Sequence, residues 1–109
     1  MKSKIENIKN YYLEVCKKEK LNPIPIKFCS VSKGGACLQY SNSMKPLNIQ
    51  IDLNRCVDIE YALLHEISHQ ILLEKKKDPA LRHNAAFRKI ENQMNDKYMY
   101  SDLTFKYRL

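Results

Sequence analysis

Several features that define other classes of protein are missing from this chain of 109 residues. No run of about 18 or more apolar residues occurs, so we expect no membrane-spanning helix. Residues 1–7 contain no apolar core, so no secretory signal is predicted, and we expect a cytoplasmic protein. There is no internal repeat or low-complexity tract, and the chain has only two glycines and four prolines. A single compact domain over residues 1–109 is therefore expected.

Cysteine pairs with the spacing of a metal or redox site are also absent. The four cysteines are Cys16, Cys29, Cys37 and Cys56, and no two of them form a Cys-x-x-Cys motif. The sequence therefore does not support a zinc ribbon or a thioredoxin-type site. We expect reduced and largely buried thiols that behave as small apolar side chains, although the sequence leaves a disulfide open.

Acidic residues are outnumbered in this sequence. Asp and Glu number 12 against 19 Lys and Arg, which gives a formal net charge of +7. Such a surface attracts anions, including nucleic acid. The lysines cluster at residues 2–4, 17–20 and 75–77. Basic runs at helix ends are usually solvated and favourable to the helix dipole, so we interpret them as solvated faces and keep a nucleic-acid partner as the alternative.

Apolar periodicity and β-propensity predict the first half of the fold. A first helix should begin after Ser3, which can cap it together with Glu6, and should end before Pro23. A Gly34-Gly35 pair marks a turn between strand-like segments. The strand-like segments are residues 24–31, 36–41 and 48–53. They predict an α+β fold with a small, mostly antiparallel three-stranded sheet.

Two further helices are predicted in the second half. Asp58 can cap a helix from about residue 59 to 75, and because apolar residues cover most of its directions this helix should be buried. Asp78-Pro79 is a helix-start signal, so the third helix should cover Ala80 or Asn84 through Tyr98. Its inward stripe is His83, Phe87, Ile90, Met94 and Tyr98. The last segment is aromatic and basic with little periodicity.

The second predicted helix carries the motif His-Glu-x-x-His. His65 and His69 are four residues apart, so their side chains lie on one helix face and can bind one metal ion. Glu66 stands beside them, where a general base is needed. A buried helix with two imidazoles and a carboxylate needs partners for these groups. A catalytic zinc ion, Zn²⁺, with three protein ligands and one open position would supply them.

The third metal ligand has four candidates. They are His83, Glu91, Glu74 and Asp78. His83 is favoured because it is the only other histidine and heads the inward stripe of the third helix. Glu91 is the second choice, since a carboxylate is a normal third ligand and it lies two turns further along, near the edge of the same face.

The ligand set predicts a hydrolytic mechanism. Zinc would lower the pKa of a bound water towards about 7, and Glu66 would accept its proton. The oxyanion that forms needs a further donor, typically Tyr, His or Arg. Tyr98 and Tyr100 follow the third helix, and the sequence does not choose between them.

These residues resemble a known pattern. His65-Glu66-Ile67-Ser68-His69 followed by His83-x-x-x-Phe87 is similar to the zincin pattern His-Glu-x-x-His and His-x-x-x-Phe. Length, element order and a histidine third ligand resemble the minigluzincins, small single-domain metallopeptidases, most closely. SprT-like proteins are also similar, but they usually have glycine where this chain has Asn84, and the cysteines of their zinc ribbon are absent.

The resemblance implies a minimal zincin domain with metallopeptidase activity. By position it implies zinc ligation by His65, His69 and His83, with Glu66 as general base or acid. It further implies that a peptide or protein substrate binds as an added strand along residues 36–41. No membrane partner is expected.

The resemblance also implies that the C-terminal segment can block the cleft and hold the enzyme latent. The aromatic residues available for this are Tyr98, Tyr100, Phe105 and Tyr107. The sequence equally allows residues 99–109 to pack on the back of the domain, or to exchange between two chains of a homodimer. The alternative function is a SprT-like, nucleic-acid-associated zinc protease, or a basic binding module with structural zinc.

Overall fold

The computed structural model describes residues 3–31, 34–76 and 83–109. They confirm the predicted α+β class, with helices and strands in the expected order. The elements are α1 Lys4–Glu19, β1 Ile26–Phe28, β2 Ala36–Tyr40, β3 Pro46–Ile51, α2 Ile59–Lys76, α3 Ala85–Tyr98 and α4 Asp102–Tyr107.

Local capping explains where the predicted helices begin. Ser3 Oγ accepts a hydrogen bond from the backbone N–H of Glu6, as predicted for α1. A carboxylate oxygen of Asp58 accepts from the N–H of Tyr61 in the first turn of α2. Asn84 caps α3, so this helix begins at the later of its two predicted starts. The helix-start signal at residues 78–79 lies outside the described residues.

The three strands form one mixed sheet in the order β1-β3-β2. β2 pairs antiparallel with β3, as expected for consecutive strands. β1 pairs parallel with β3, so the mostly antiparallel sheet that we predicted is antiparallel in one of its two pairings. The reason is the strand order: β2 reverses the chain, and β3 then returns in the direction of β1 and inserts between the two.

A glycine holds the turn that leads into β2. Gly35 has a φ of +77°, and a Cβ at this position would lie 3.0 Å from Cys56 Sγ. The Cys56 thiol also donates to the carbonyl of Gly35 at 3.1 Å. The position therefore needs glycine for both its backbone conformation and the close approach of the segment after β3.

α2 lies at the centre of the domain. Its buried residues are Glu60, Leu63, Leu64, Glu66, Ile67, Ser68, His69, Gln70, Ile71, Leu72 and Leu73. α1 packs against it through Tyr11 and Tyr12, whose hydroxyls donate to Glu60 at 2.7 Å and Gln70 at 2.8 Å. Most of α2 is thus buried, as its apolar composition predicts.

The C-terminal segment forms a short helix, although its sequence shows little periodicity. α4 packs against α1, where the Tyr107 ring meets Tyr11 edge-on with centroids 6.4 Å apart. Tyr107 and Lys106 both donate to Glu14 at 2.7 Å. Thr104 Oγ1 donates to the buried Glu60 carboxylate at 2.6 Å. These contacts place the segment on the back of the domain, one of the arrangements that the sequence allowed.

Two expectations from composition can be compared with the structure. All four cysteines are free thiols, and Cys16 is buried as expected, but Cys29 is exposed because it lies just beyond the end of the short β1. None of the helices described here is long and apolar enough to cross a membrane.

Candidate metal centre

The three histidines of the chain converge at one point. His65, His69 and His83 each offer a ring nitrogen, and these three atoms lie within 4.8 Å of one another. The His65 and His69 ring centroids are 5.0 Å apart across one turn of α2. The His83 centroid lies 4.6 Å from that of His65 and 5.4 Å from that of His69. The structure therefore brings together the three residues that the sequence singled out.

His83 is positioned by the beginning of α3. It stands one residue before the Asn84 cap, whose side chain accepts from the N–H of Phe87. The carbonyl of His83 accepts from Nε of Arg88 at 3.1 Å, one turn inside the helix. Capping thus fixes the backbone around His83, while its exposed side chain reaches the two histidines of α2.

Phe87 packs its ring against all three histidine rings. It is fully buried, and its ring stacks on His69 with centroids 4.3 Å apart. The same ring lies 4.9 Å from His65 and 4.9 Å from His83. One apolar side chain therefore restricts the orientation of all three imidazoles, which explains why phenylalanine follows His83 at helical spacing.

Glu66 is a buried carboxylate without a hydrogen-bond donor in the described part of the chain. Its side chain is only 5% exposed. Burial, with a smaller contribution from the negative charge of Glu91, raises the pKa of Glu66 to about 7. A buried carboxylate in this state is poised to exchange a proton near neutral pH, which is the property a general base requires.

The other candidate ligands have different partners. Glu91 does not join the histidine group; its Oε2 lies 2.5 Å from Nδ1 of His65. Glu74 accepts a hydrogen bond from the backbone of Asn22, on the opposite side of α2 from the cleft. Asp78 lies outside the described residues. Among the candidates that can be placed, only His83 completes the group.

The donor set suits a transition metal. Three imidazole nitrogens are common ligands of zinc, and also of copper, nickel and iron, whereas calcium and magnesium prefer oxygen. Two of the rings are partly or fully buried, and His83 is exposed at the mouth. Three ligands with one accessible side match the pattern of catalytic metal sites, in which one position stays open.

The histidines open into a cleft of about 470 Å³ between β2 and α2. Its walls are mostly apolar, apart from the histidines and Glu66. The lining residues are Gly34, Ala36, Cys37, Leu38, Tyr61, Ala62, His65, Glu66, His69 and His83.

One wall of the cleft is an unpaired strand edge. β2 is the last strand of the sheet, and no described strand pairs with its outer side. The carbonyl of Gly35 accepts from the N–H of Asp52, so Gly35 and Cys37 direct their backbone groups to β3. In an antiparallel pair this direction alternates, so the N–H and C=O groups of Ala36 and Leu38 point to the open edge.

The expected oxyanion donors lie away from the cleft, and a different tyrosine lines it. Tyr98 donates to Glu19, and Tyr100 is largely exposed near the end of α3. Tyr61 lies in the cleft wall, with its ring centroid 6.2 Å from that of His65 and its side chain 46% exposed. Tyr61 was not among the residues predicted from the sequence, although its position four residues before His65 places both on one helix face.

Comparison with known proteins adds no relative. No family model, no curated protein and no solved structure matches the chain.

Proposed function

We propose that this protein is a zinc-dependent endopeptidase related to the minigluzincins. The observation that carries the proposal is the grouping of His65, His69 and His83 beside the buried Glu66, at the open edge of β2. These groups line one cleft, and each would have a role in peptide hydrolysis. The histidines would be the metal ligands, Glu66 the general base and β2 the peptide-binding edge.

The histidines would hold the ion. When bound, zinc supplies Lewis-acid chemistry, activating water as a nucleophile and polarising the scissile carbonyl group. His65 and His69 are held by α2 and by the Phe87 ring below them. His83 comes from the next helix, so loading the metal would also tie α2 to the beginning of α3.

Glu66 would move the proton. Its carboxylate is next to His65 in sequence, faces the cleft and has no competing donor among the described residues. As the general base, it would accept a proton from the attacking water and return it to the leaving amine.

The edge of β2 would hold the substrate. An extended peptide can pair with the outward N–H and C=O groups of Ala36 and Leu38, as an added strand does in β-augmentation. Such pairing involves the peptide backbone and not its side chains. Any sequence preference would therefore arise from the few substrate side chains that contact the walls of the cleft. The cleft walls of Ala62, Leu38 and Tyr61 favour apolar side chains next to the scissile bond.

The position of α4 supports an accessible cleft. The side chains proposed as a plug are used elsewhere or point to solvent, and none of them lines the cleft. We therefore propose an enzyme that is active without removal of its C-terminal segment.

The test is zinc-dependent cleavage of an unfolded protein such as casein. We expect the zinc-loaded protein to produce peptides, a chelator to stop the reaction, and added zinc to restore it. Glu66→Gln should keep stoichiometric zinc and lose activity by about 100-fold or more. Asn92→Ala, on the exposed side of α3, is the matched control and should keep full activity. A wild-type protein that holds one zinc ion per chain and leaves every substrate intact would reject the proposal.

A second candidate function is nucleic-acid binding, and one observation favours it. Lys75 Nζ donates to the carbonyl of Glu19 at 2.7 Å, so the basic ends of α1 and α2 meet on one surface. Exposed lysines among the described residues of these two helix ends include Lys17, Lys18, Lys20, Lys75 and Lys76. Salt-sensitive binding of single-stranded DNA that weakens in a Lys18→Glu, Lys76→Glu double variant would support it. A protein that does not bind single-stranded DNA even at low salt would reject this second function.

A further inference from the structure

Glu91, a residue of α3, contacts the histidine group directly. Its Oε2 lies 2.5 Å from Nδ1 of His65. The two side chains come from different helices, α2 and α3, and are only 19% and 14% exposed. The contact is therefore shielded from most competing water, and it depends on the packing of the two helices.

Hydrogen-bond chemistry fixes the direction of this contact. An ionised carboxylate has lone pairs and no proton, so it can only accept. When Glu91 is ionised and His65 is neutral, the proton of this contact therefore belongs to Nδ1 of His65, which donates it to Glu91. Nε2 then has a free lone pair, and it is the nitrogen available to a metal ion.

The neighbouring residues keep Glu91 in place. Ile90 and Met94 are buried on the inward face of α3, so the helix cannot rotate about its axis without exposing them.

We infer that Glu91 is a positioning residue of the metal centre, which fixes the tautomer and ring orientation of His65 so that Nε2 faces the ion. This inference rests on the proposed metal site, but it assigns a function that neither the motif nor the donor group includes. Carboxylates in this position typically strengthen metal binding by about 10- to 100-fold. Glu91 thus acts through His65 and does not itself contact the metal.

The first experiment reads the proton directly and needs no metal. Long-range ¹H–¹⁵N spectra of the metal-free protein at pH 8 distinguish a protonated Nδ1 from a protonated Nε2. We expect His65 to carry the proton on Nδ1 in the wild type and in Glu91→Gln, which keeps an acceptor oxygen. In Glu91→Ala the acceptor is gone, and the proton should move to Nε2 in a large share of molecules.

The second experiment measures zinc affinity by competition with a chromophoric chelator. Glu91→Ala should bind zinc about 10- to 100-fold more weakly than the wild type, and Glu91→Gln should lie between them. Asn92→Ala, the neighbouring exposed position, should bind like the wild type. Circular dichroism of each metal-free variant confirms that the helices are intact, which separates positioning from loss of fold.

The results distinguish this inference from the proposed peptidase function. A wild-type His65 protonated on Nε2, or a Glu91→Ala variant with unchanged tautomer and zinc affinity, would overturn the inference whatever the activity. A protein with the expected tautomer and affinity series that cleaves no peptide would retain Glu91 in this role and reject the peptidase. A wild type that binds no zinc would overturn the inference together with the metal site on which it rests.

Discussion

Replacing Glu66 with glutamine should stabilise the metal-free protein at alkaline pH. The side chain is 5% exposed, and no group in the described residues donates a hydrogen bond to it. Ionising it inside the fold therefore costs free energy that is not spent in the unfolded chain, where the carboxylate is hydrated. Glutamine has nearly the same shape and resembles the protonated acid, so it avoids that cost.

The pKa shift sets the size and the pH window of the effect. The pKa rises from 4.5 to about 7 on folding, which at 1.36 kcal/mol per unit corresponds to roughly 3 kcal/mol. Because the folded state holds this proton more tightly, wild-type stability is lost as pH rises from about 4.5 to 7. We expect Glu66→Gln to match the wild type at pH 4.5 and to exceed it by about 2 to 3 kcal/mol at pH 8.5.

Urea unfolding followed by circular dichroism, in excess chelator, measures this difference across the pH range. Glu60→Gln is the matched control, since Glu60 is equally buried but accepts hydrogen bonds from Tyr11, Thr104 and the backbone of Tyr100. The same substitution there should destabilise the protein by about 1 to 3 kcal/mol. A Glu66→Gln variant that is no more stable than the wild type at pH 8.5 would refute the view that ionising the buried Glu66 costs free energy on folding.

Three further predictions concern the site and the C-terminal helix. His83→Ala should lose stoichiometric zinc, measured by mass spectrometry, because it removes one of the three proposed ligands; full retention would exclude His83. Phe87→Ala should lower stability to urea by about 3 to 5 kcal/mol, because the ring is fully buried; a loss below about 1 kcal/mol would contradict its place under the histidines. Deleting residues 100–109 should lower the melting temperature without raising casein cleavage, since α4 packs on α1 and not in the cleft; a rise in activity would show that this segment inhibits.

The predicted parts of the fold depend on residues that are close together in sequence. Ser3 and Asp58 cap their helices within the next three residues, and the apolar residues on most sides of α2 predict that it is buried. His65 and His69 share a face because they are one helical turn apart. Such interactions are decided by spacing, so the sequence is sufficient to predict them.

The third candidate ligand could not be chosen from residue spacing alone. His83 was favoured because no other histidine exists, while Glu91 remained an alternative near the edge of the same helix face. The structure separates their roles, because the packing of α3 against α2 places His83 among the ring nitrogens and Glu91 behind His65. Which of the two residues joins the histidine group depends on how α3 packs against α2. No local sequence pattern predicts that packing.

The His-Glu-x-x-His motif, the burial of the helix that carries it and the α+β class can all be predicted from the sequence. The surroundings of the motif depend on three-dimensional packing: the insertion of β3 between β1 and β2, the position of α4 on the back of the domain, and the presence of Tyr61 in the cleft. These features join residues that are distant in the chain. Such contacts form when the apolar faces of helices and strands pack together and are removed from water. This packing is a property of the whole domain and not of any one segment.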